Sequence, residues 1–169
     1  MKIQDAETCT YEIPKNIREK WPFQLSPFQE FAIAGLLNNK HVLVSAHTGC
    51  GKTIPAEFAI EWFTAKGLKV IYTSPIKALT NQKYLNFTEQ FPHISFGVLT
   101  GDNKSNPDAQ VLLMTQEIFR NTLFQQKLFK TGGALECVEN QGNKKNDILS
   151  FDMNIEDELG ILIMDEAHY

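Results

Sequence analysis

Cysteine is scarce in this sequence. Cys9, Cys50 and Cys137 are its only three, too few and too scattered for a disulfide framework or a zinc knuckle. Long apolar runs are missing: none approaches the ~20 residues that cross a bilayer. The opening MKIQDAETCTYE is polar and mixed in charge, so no signal peptide is read there. An intracellular setting, cytoplasmic or nuclear, is expected, with no membrane partner. Net positive charge is also missing. Sixteen Lys and Arg stand against 20 Asp and Glu, a net of −4. A domain held to nucleic acid by bulk charge usually has a pI above ~9, so any such contact here must be local. The acidic excess is itself local. Residues 127–160 hold four Lys and seven Asp or Glu, which leaves the rest of the chain nearly balanced.

What is present is ordinary globular material. The 169 residues are 43% hydrophobic and 21% charged. That suffices for one domain with a core of its own. Residues 1–20 read as an irregular lead-in. Ser26, Pro27 and Gln29 then form a helix-start signature, with a cap, a proline at the first helical position and a glutamine three residues after the cap. A helix is expected over 27–38. His41–Ala46 is a short, β-branched apolar run of the kind that forms a strand buried on both faces. A helix over 52–65, ended by Gly67, follows. Strands are expected over 70–73, 94–99, 111–114 and 161–164, and helices over 77–90 and 116–129. Residues 130–158, rich in Gly, Asn, Lys and Asp, read as a surface insertion with at most one helical turn. Strands alternating with helices imply an α/β fold with a mostly parallel sheet of about five or more strands.

Two strand ends carry chemistry. The first is Ala46-His47-Thr48-Gly49-Cys50-Gly51-Lys52-Thr53. It has the Gly-Lys-Thr ending of a P-loop, with Ala46 where the general pattern has glycine. Glycines let backbone N–H groups curl around phosphate oxygens, and the following helix N-terminus adds its positive end. Lys52 is expected to reach the outer phosphates and Thr53 to bind Mg²⁺ through its hydroxyl. The bland alternative is a Gly-rich turn. The second is Ile161-Leu162-Ile163-Met164-Asp165-Glu166, an apolar strand ending in two acids. Asp165 would hold Mg²⁺ from its outer shell or through water, and Glu166 would orient and deprotonate an attacking water. Alone, such a pair is usually a strand running out into solvent; beside a P-loop it reads as the metal and base site.

In order and spacing, these motifs resemble superfamily 2 helicases of the DExH-box class, in particular the superkiller-type RNA helicases that feed the exosome. The likeness runs from Trp21 to Tyr169 and covers the first of their two RecA-like lobes, a P-loop NTPase fold. It implies an ATP-binding lobe over 21–169, with 130–158 as its insertion and the second lobe absent. Phe23–Gln29 resembles their adenine-reading segment, in which Phe23 would stack on the base and Gln29 would read its edge. His47, Thr48, Gly49, Cys50 and Gly51 fall in their motif I, around Lys52 and Thr53. Tyr72–Tyr84 resembles motif Ia, which implies contacts to an RNA backbone from Pro75, Ile76 and Lys77. Leu99–Asp102 and Met114–Glu117 resemble the next segments along that track, which adds Gly101, Asp102, Thr115 and Glu117. Gln116 stands where the family more often has Thr. Asp165-Glu166-Ala167-His168 is similar to motif II. The likeness thus implies ATP and Mg²⁺ as cofactors, with Lys52 and Glu166 catalytic. It also implies single-stranded RNA as partner, and an RNA-decay complex around the full protein. A non-catalytic nucleotide- or RNA-binding module and the lobe of a DNA helicase stay open as alternatives, because backbone contacts carry little base information.

Overall fold

The structure is a computed structural model that describes residues 12–130 and 153–167. Cys9, Cys137, His168, most of the 130–158 insertion and the first half of the lead-in lie outside the described residues. The chain divides into two compact units, Met1–Trp62 and Phe63–Tyr169.

In the first unit, a single helical turn, α1 (Lys15–Arg18), interrupts the expected irregular lead-in. It forms where Pro14 C=O accepts from both Ile17 and Arg18. Helix α2 (Pro27–Leu37) starts where the sequence places it, with Pro27 in its first turn. It ends in a Schellman motif: Lys40 N–H donates to Gly35 C=O at 2.9 Å and Asn39 N–H to Leu36 C=O at 3.0 Å. Asn39 takes the left-handed conformation, φ +53°. Helix α3 (Thr53–Ala65) begins in this unit. Trp21 packs on its Phe58, ring centroids 6.1 Å apart, and Phe58 on Trp62 at 5.7 Å.

One expected element is absent. Residues 41–46 form no strand. Val42 and Leu43 are exposed, Leu43 at 90%. An apolar β-branched run suits a buried strand, but a strand exists only where a ladder partner takes its backbone groups. Among the described residues this run has no ladder partner.

The second unit is built on one five-stranded sheet. Its strands are β1 (Lys69–Ser74), β2 (Phe96–Leu99), β3 (Lys104–Ser105), β4 (Val111–Thr115) and β5 (Leu159–Met164), in the order β3-β2-β4-β1-β5. All neighbours are parallel except the β2–β3 hairpin. That hairpin goes unseen in the sequence because β3 is only two residues long. Helix α4 (Lys77–Gln90) links β1 to β2, and α5 (Gln116–Lys130) follows β4. A short turn, α6 (Ile155–Glu158), leads into β5. Gly67, φ +76°, closes the last turn of α3 just before β1, as the sequence implies.

Strand side chains alternate between the two faces, and each face has its own core. On one, Ile71, Leu112, Met114 and Leu99 pack with Ile118 and Phe119 of α5 and with Met153. On the other, Tyr72 meets Phe87 of α4 edge-on at 5.4 Å, and Phe87 stacks on Phe96 at 6.2 Å. Strands β1 and β4 have neighbours on both sides and are buried nearly throughout, which is why they read as continuous apolar runs.

Candidate functional site

The Gly-rich loop of the first unit connects the exposed run 41–46 to α3. Gly49 and Gly51 both have positive φ, +85° and +86°. His47 and Thr48 are exposed; Cys50, Lys52 and Thr53 are half-buried. Cys50 Sγ donates to His47 C=O at 2.8 Å, which closes the loop on itself. Thr53 is the first residue of α3, so the positive end of a helix dipole lies directly after the loop, and the Ile54 N–H donates back to Gly51 C=O at 3.2 Å.

Gln29 ties this loop to α2. It is only 5% exposed. Its Oε1 accepts from Ser26 N–H at 2.8 Å, which gives the helix its cap. Its Nε2 donates to Gly51 C=O at 3.1 Å and lies 3.5 Å from Cys50 C=O. The residue read as both a cap and an adenine contact thus has a further job, holding the loop's backbone. Its Oε1 can accept one more hydrogen bond by valence, while Nε2 faces the two loop carbonyls. Phe23, on the same segment, leaves 51% of its surface exposed.

In the second unit the acids stand at the end of β5. The sheet carries on for one residue past Met164: Asp165 N–H donates to Thr73 C=O of β1 at 2.9 Å. Among the described residues two donors meet the Asp165 carboxylate. Tyr72 Oη–H donates to Oδ2 at 2.6 Å, and Glu166 N–H donates to Oδ1 at 3.1 Å. Gln116 Nε2 lies 3.4 Å from the Asp165 C=O. Glu166 adopts φ +50°, a region that L side chains seldom enter and that clusters at functional sites. Both acids are half-buried.

The remaining expected contacts fall at the ends of β1, β2 and β4. Pro75, Ile76, Gln116, Glu117 and Arg120 line an open depression of about 510 Å³. Lys77 opens α4 and bridges to Asp102 at 2.7 Å. Its Nζ passes within 2.9 Å of where a Cβ on Gly101 would sit. Thr115 is buried, in register with Ser74. Two participants escape the sequence reading. Arg120 lies one helical turn beyond Gln116, a spacing that puts both on one face and was available in the sequence. Tyr72 looks like one more apolar strand residue, and only its buried hydroxyl, which must find a partner, hints at more.

Among the described residues no group of three or more His, Cys, Asp or Glu gathers around a metal position. Within the second unit the Asp165 carboxylate, which accepts one hydrogen bond on each oxygen, is an oxygen donor of the type that suits a hard cation such as Mg²⁺. No helix among those residues is long and apolar enough to cross a membrane.

The sequence is 46% identical over 114 residues to the antiviral helicase SKI2 of Saccharomyces cerevisiae, covering 68% of this chain and 9% of that protein. It is 42% identical over 142 residues to the human exosome RNA helicase MTR4, covering 74% of this chain and 13% of that protein. The ATP-dependent RNA helicase mtr4 of Schizosaccharomyces pombe is 49% identical over 105 residues, 62% of this chain and 9% of that protein. The chain thus spans about a tenth of the length of these curated relatives. The DEAD/DEAH box helicase family model matches residues 26–169, most of the chain including the Gly-rich loop and the acid pair, and the mostly parallel α/β sheet fits the RecA-like domain of that family. The chain belongs to the DEAD/DEAH box helicase family.

Proposed function

We propose that residues 21–169 form the ATP-binding lobe of an ATP-dependent RNA helicase. In the full-length protein, ATP hydrolysis would drive translocation on RNA and unwinding. The observation that carries the reading is the bridge made by Gln29, which joins the segment bearing exposed Phe23 to the backbone of the Gly-rich loop. A helix cap alone does not need that second bond.

In this reading the loop amides and the α3 N-terminus hold the phosphates, and Lys52 balances their charge. Phe23 stacks on adenine and Gln29 reads its edge. His47, Thr48, Gly49, Cys50 and Gly51 shape the loop. Thr53 and Asp165 hold Mg²⁺, which supplies neutralisation of the developing phosphate charge when bound. Glu166 orients water and accepts its proton. Pro75, Ile76, Lys77, Gly101, Asp102, Thr115 and Glu117 border the path of an RNA backbone. Loop and helix-end amides position phosphates without a basic surface, which suits a chain of net charge −4. The same reading puts the protein in the cytoplasm or nucleus, in contact with an RNA-decay assembly. Strong turnover is expected only of the two-lobed protein, because an arginine finger supplies about 10³–10⁵ in rate.

Calorimetric titration of ADP and GDP with Mg²⁺ tests the reading. The chain is expected to prefer ADP, and Gln29→Ala to lose that preference. Equal binding of both nucleotides by the wild-type chain would overturn the adenine assignment. A duplex-unwinding assay of the full-length protein on RNA and DNA decides the strand.

A further inference from the structure

Tyr72 stands out in the second unit as a polar group buried beyond the needs of packing. It is 2% exposed, sits on the interior strand β1 and packs edge-on against Phe87. Its hydroxyl donates to Asp165 Oδ2 at 2.6 Å, across 93 residues of sequence. A buried phenol needs only some acceptor, and a backbone carbonyl would serve. Here the acceptor is instead the side chain of the first acid after β5. The second carboxylate oxygen is held too, by the N–H of Glu166 in its left-handed conformation. One donor on each oxygen fixes both the rotamer and the plane of the carboxylate. The remaining lone pairs then point in set directions.

We propose that Tyr72 is a positioning residue for Asp165. Its buried hydroxyl holds the carboxylate in the orientation that receives a divalent cation. The inference rests on the reading of Asp165 as the acid that holds Mg²⁺. Tyr72 touches neither nucleotide nor water in this scheme and acts through Asp165 alone. Outer partners of metal-holding groups act in this way, and their loss typically costs about 10–100-fold in metal affinity.

The test measures ADP affinity with excess Mg²⁺ and with EDTA. It compares the wild-type chain, Tyr72→Phe, Asp165→Asn and the double variant. Tyr72→Phe keeps the ring and removes only the hydroxyl, and circular dichroism checks that each variant is folded. The expected result is a Mg²⁺-dependent gain in affinity that Tyr72→Phe lowers by about tenfold or more, with the EDTA affinity unchanged. Asp165→Asn abolishes the gain, and adding Tyr72→Phe to it changes nothing further, as expected of two groups acting as one unit. A Tyr72→Phe chain with the wild-type gain overturns the proposal. So does equal weakening with and without Mg²⁺, which marks a purely structural tyrosine. A gain that survives Asp165→Asn, or no gain in the wild type, overturns the reading of Asp165 itself, and the proposal with it.

Discussion

The Gly-rich loop at 46–53 and the acid pair at 165–166 each follow a short run of β-branched and apolar residues, yet they are held in different ways. The acids leave a strand whose ladder continues under them. Asp165 donates to Thr73 C=O in line with the pairing of Met164, and its carboxylate is tied to a buried tyrosine of the neighbouring strand. The loop leaves a run that has no ladder partner among the described residues, and its ties include one amide side chain, its own Cys50–His47 bond and the Ile54 N–H donating to Gly51 C=O. A sheet fixes what it carries through many backbone bonds shared among strands. A capping side chain fixes it through one or two. The backbone under the acid pair should therefore shift only when the sheet core fails, and the loop when a single contact is lost.

Emptying the sheet core gives the largest expected effect. Phe87 is 1% exposed and joins Tyr72, Phe91 and Phe96 in one aromatic cluster. Phe87→Ala should cost about 3–5 kcal/mol, read by urea unfolding, and the Tyr72 ring that carries the bond to Asp165 should lose its packing with it. A cost near 1 kcal/mol, in the range of an average point substitution, would break the contrast. The loop should respond to a smaller change. A Cβ on Gly51 would lie 2.5 Å from Gln29 Nε2, and φ at +86° is already unfavourable for alanine. Gly51→Ala should cost about 1–3 kcal/mol in backbone strain, and about 1 kcal/mol more as the amide loses its bond. Gly49 has the same φ sign but open space where a Cβ would go. Gly49→Ala should therefore cost only the conformational part, about 1–2 kcal/mol. Equal losses in the two variants would mean that Gln29 does not brace the loop.

The same contrast explains what could be read beforehand. The strands at 69–74, 111–115 and 159–164 and the helices at 27–37, 53–65 and 77–90 lie within a few residues of where pattern and caps put them. Their signals are local: Ser26-Pro27 at one start, Gly67 at one end, continuous apolar runs in the middle of a parallel sheet. The run 41–46 has the same local signal, and no strand forms. Pairing is a property of the neighbours, and the run does not contain them. The Gly-Lys-Thr loop and the acid pair were legible because each is a short contiguous run of diagnostic residue types. The Tyr72–Asp165 and Lys77–Asp102 contacts were not, since each joins residues that only the sheet order brings together. Gln29 was legible as a cap from its three-residue spacing; its hold on Gly51 was not.

The smallest expected effect sits at the start of β5. Glu158 ends α6 and forms an ion pair with Lys69, the first residue of β1, at 2.8 Å. It also accepts from Asn154 N–H at 3.2 Å. The Lys69 hydrogen bond, helped by the Asn154 backbone, holds its carboxyl below the usual carboxylate range. A carboxyl with a lowered folded-state pKa binds its proton more readily in the unfolded chain. Its contribution to stability is therefore present above the unfolded value and is lost as pH falls through the folded one. The pair is solvent-accessible and screened, so the contribution is small. Glu158→Gln should lower the melting temperature slightly at neutral pH and leave it unchanged in acid, below both values. The wild-type and variant curves should converge as pH falls through the carboxylate range, and added salt should narrow the gap at neutral pH. Parallel curves across that range would mean that Lys69 and Glu158 do not pair in solution. The entry to β5 would then rest on its ladder with β1 and on the apolar packing of Ile155, Leu159 and Leu162.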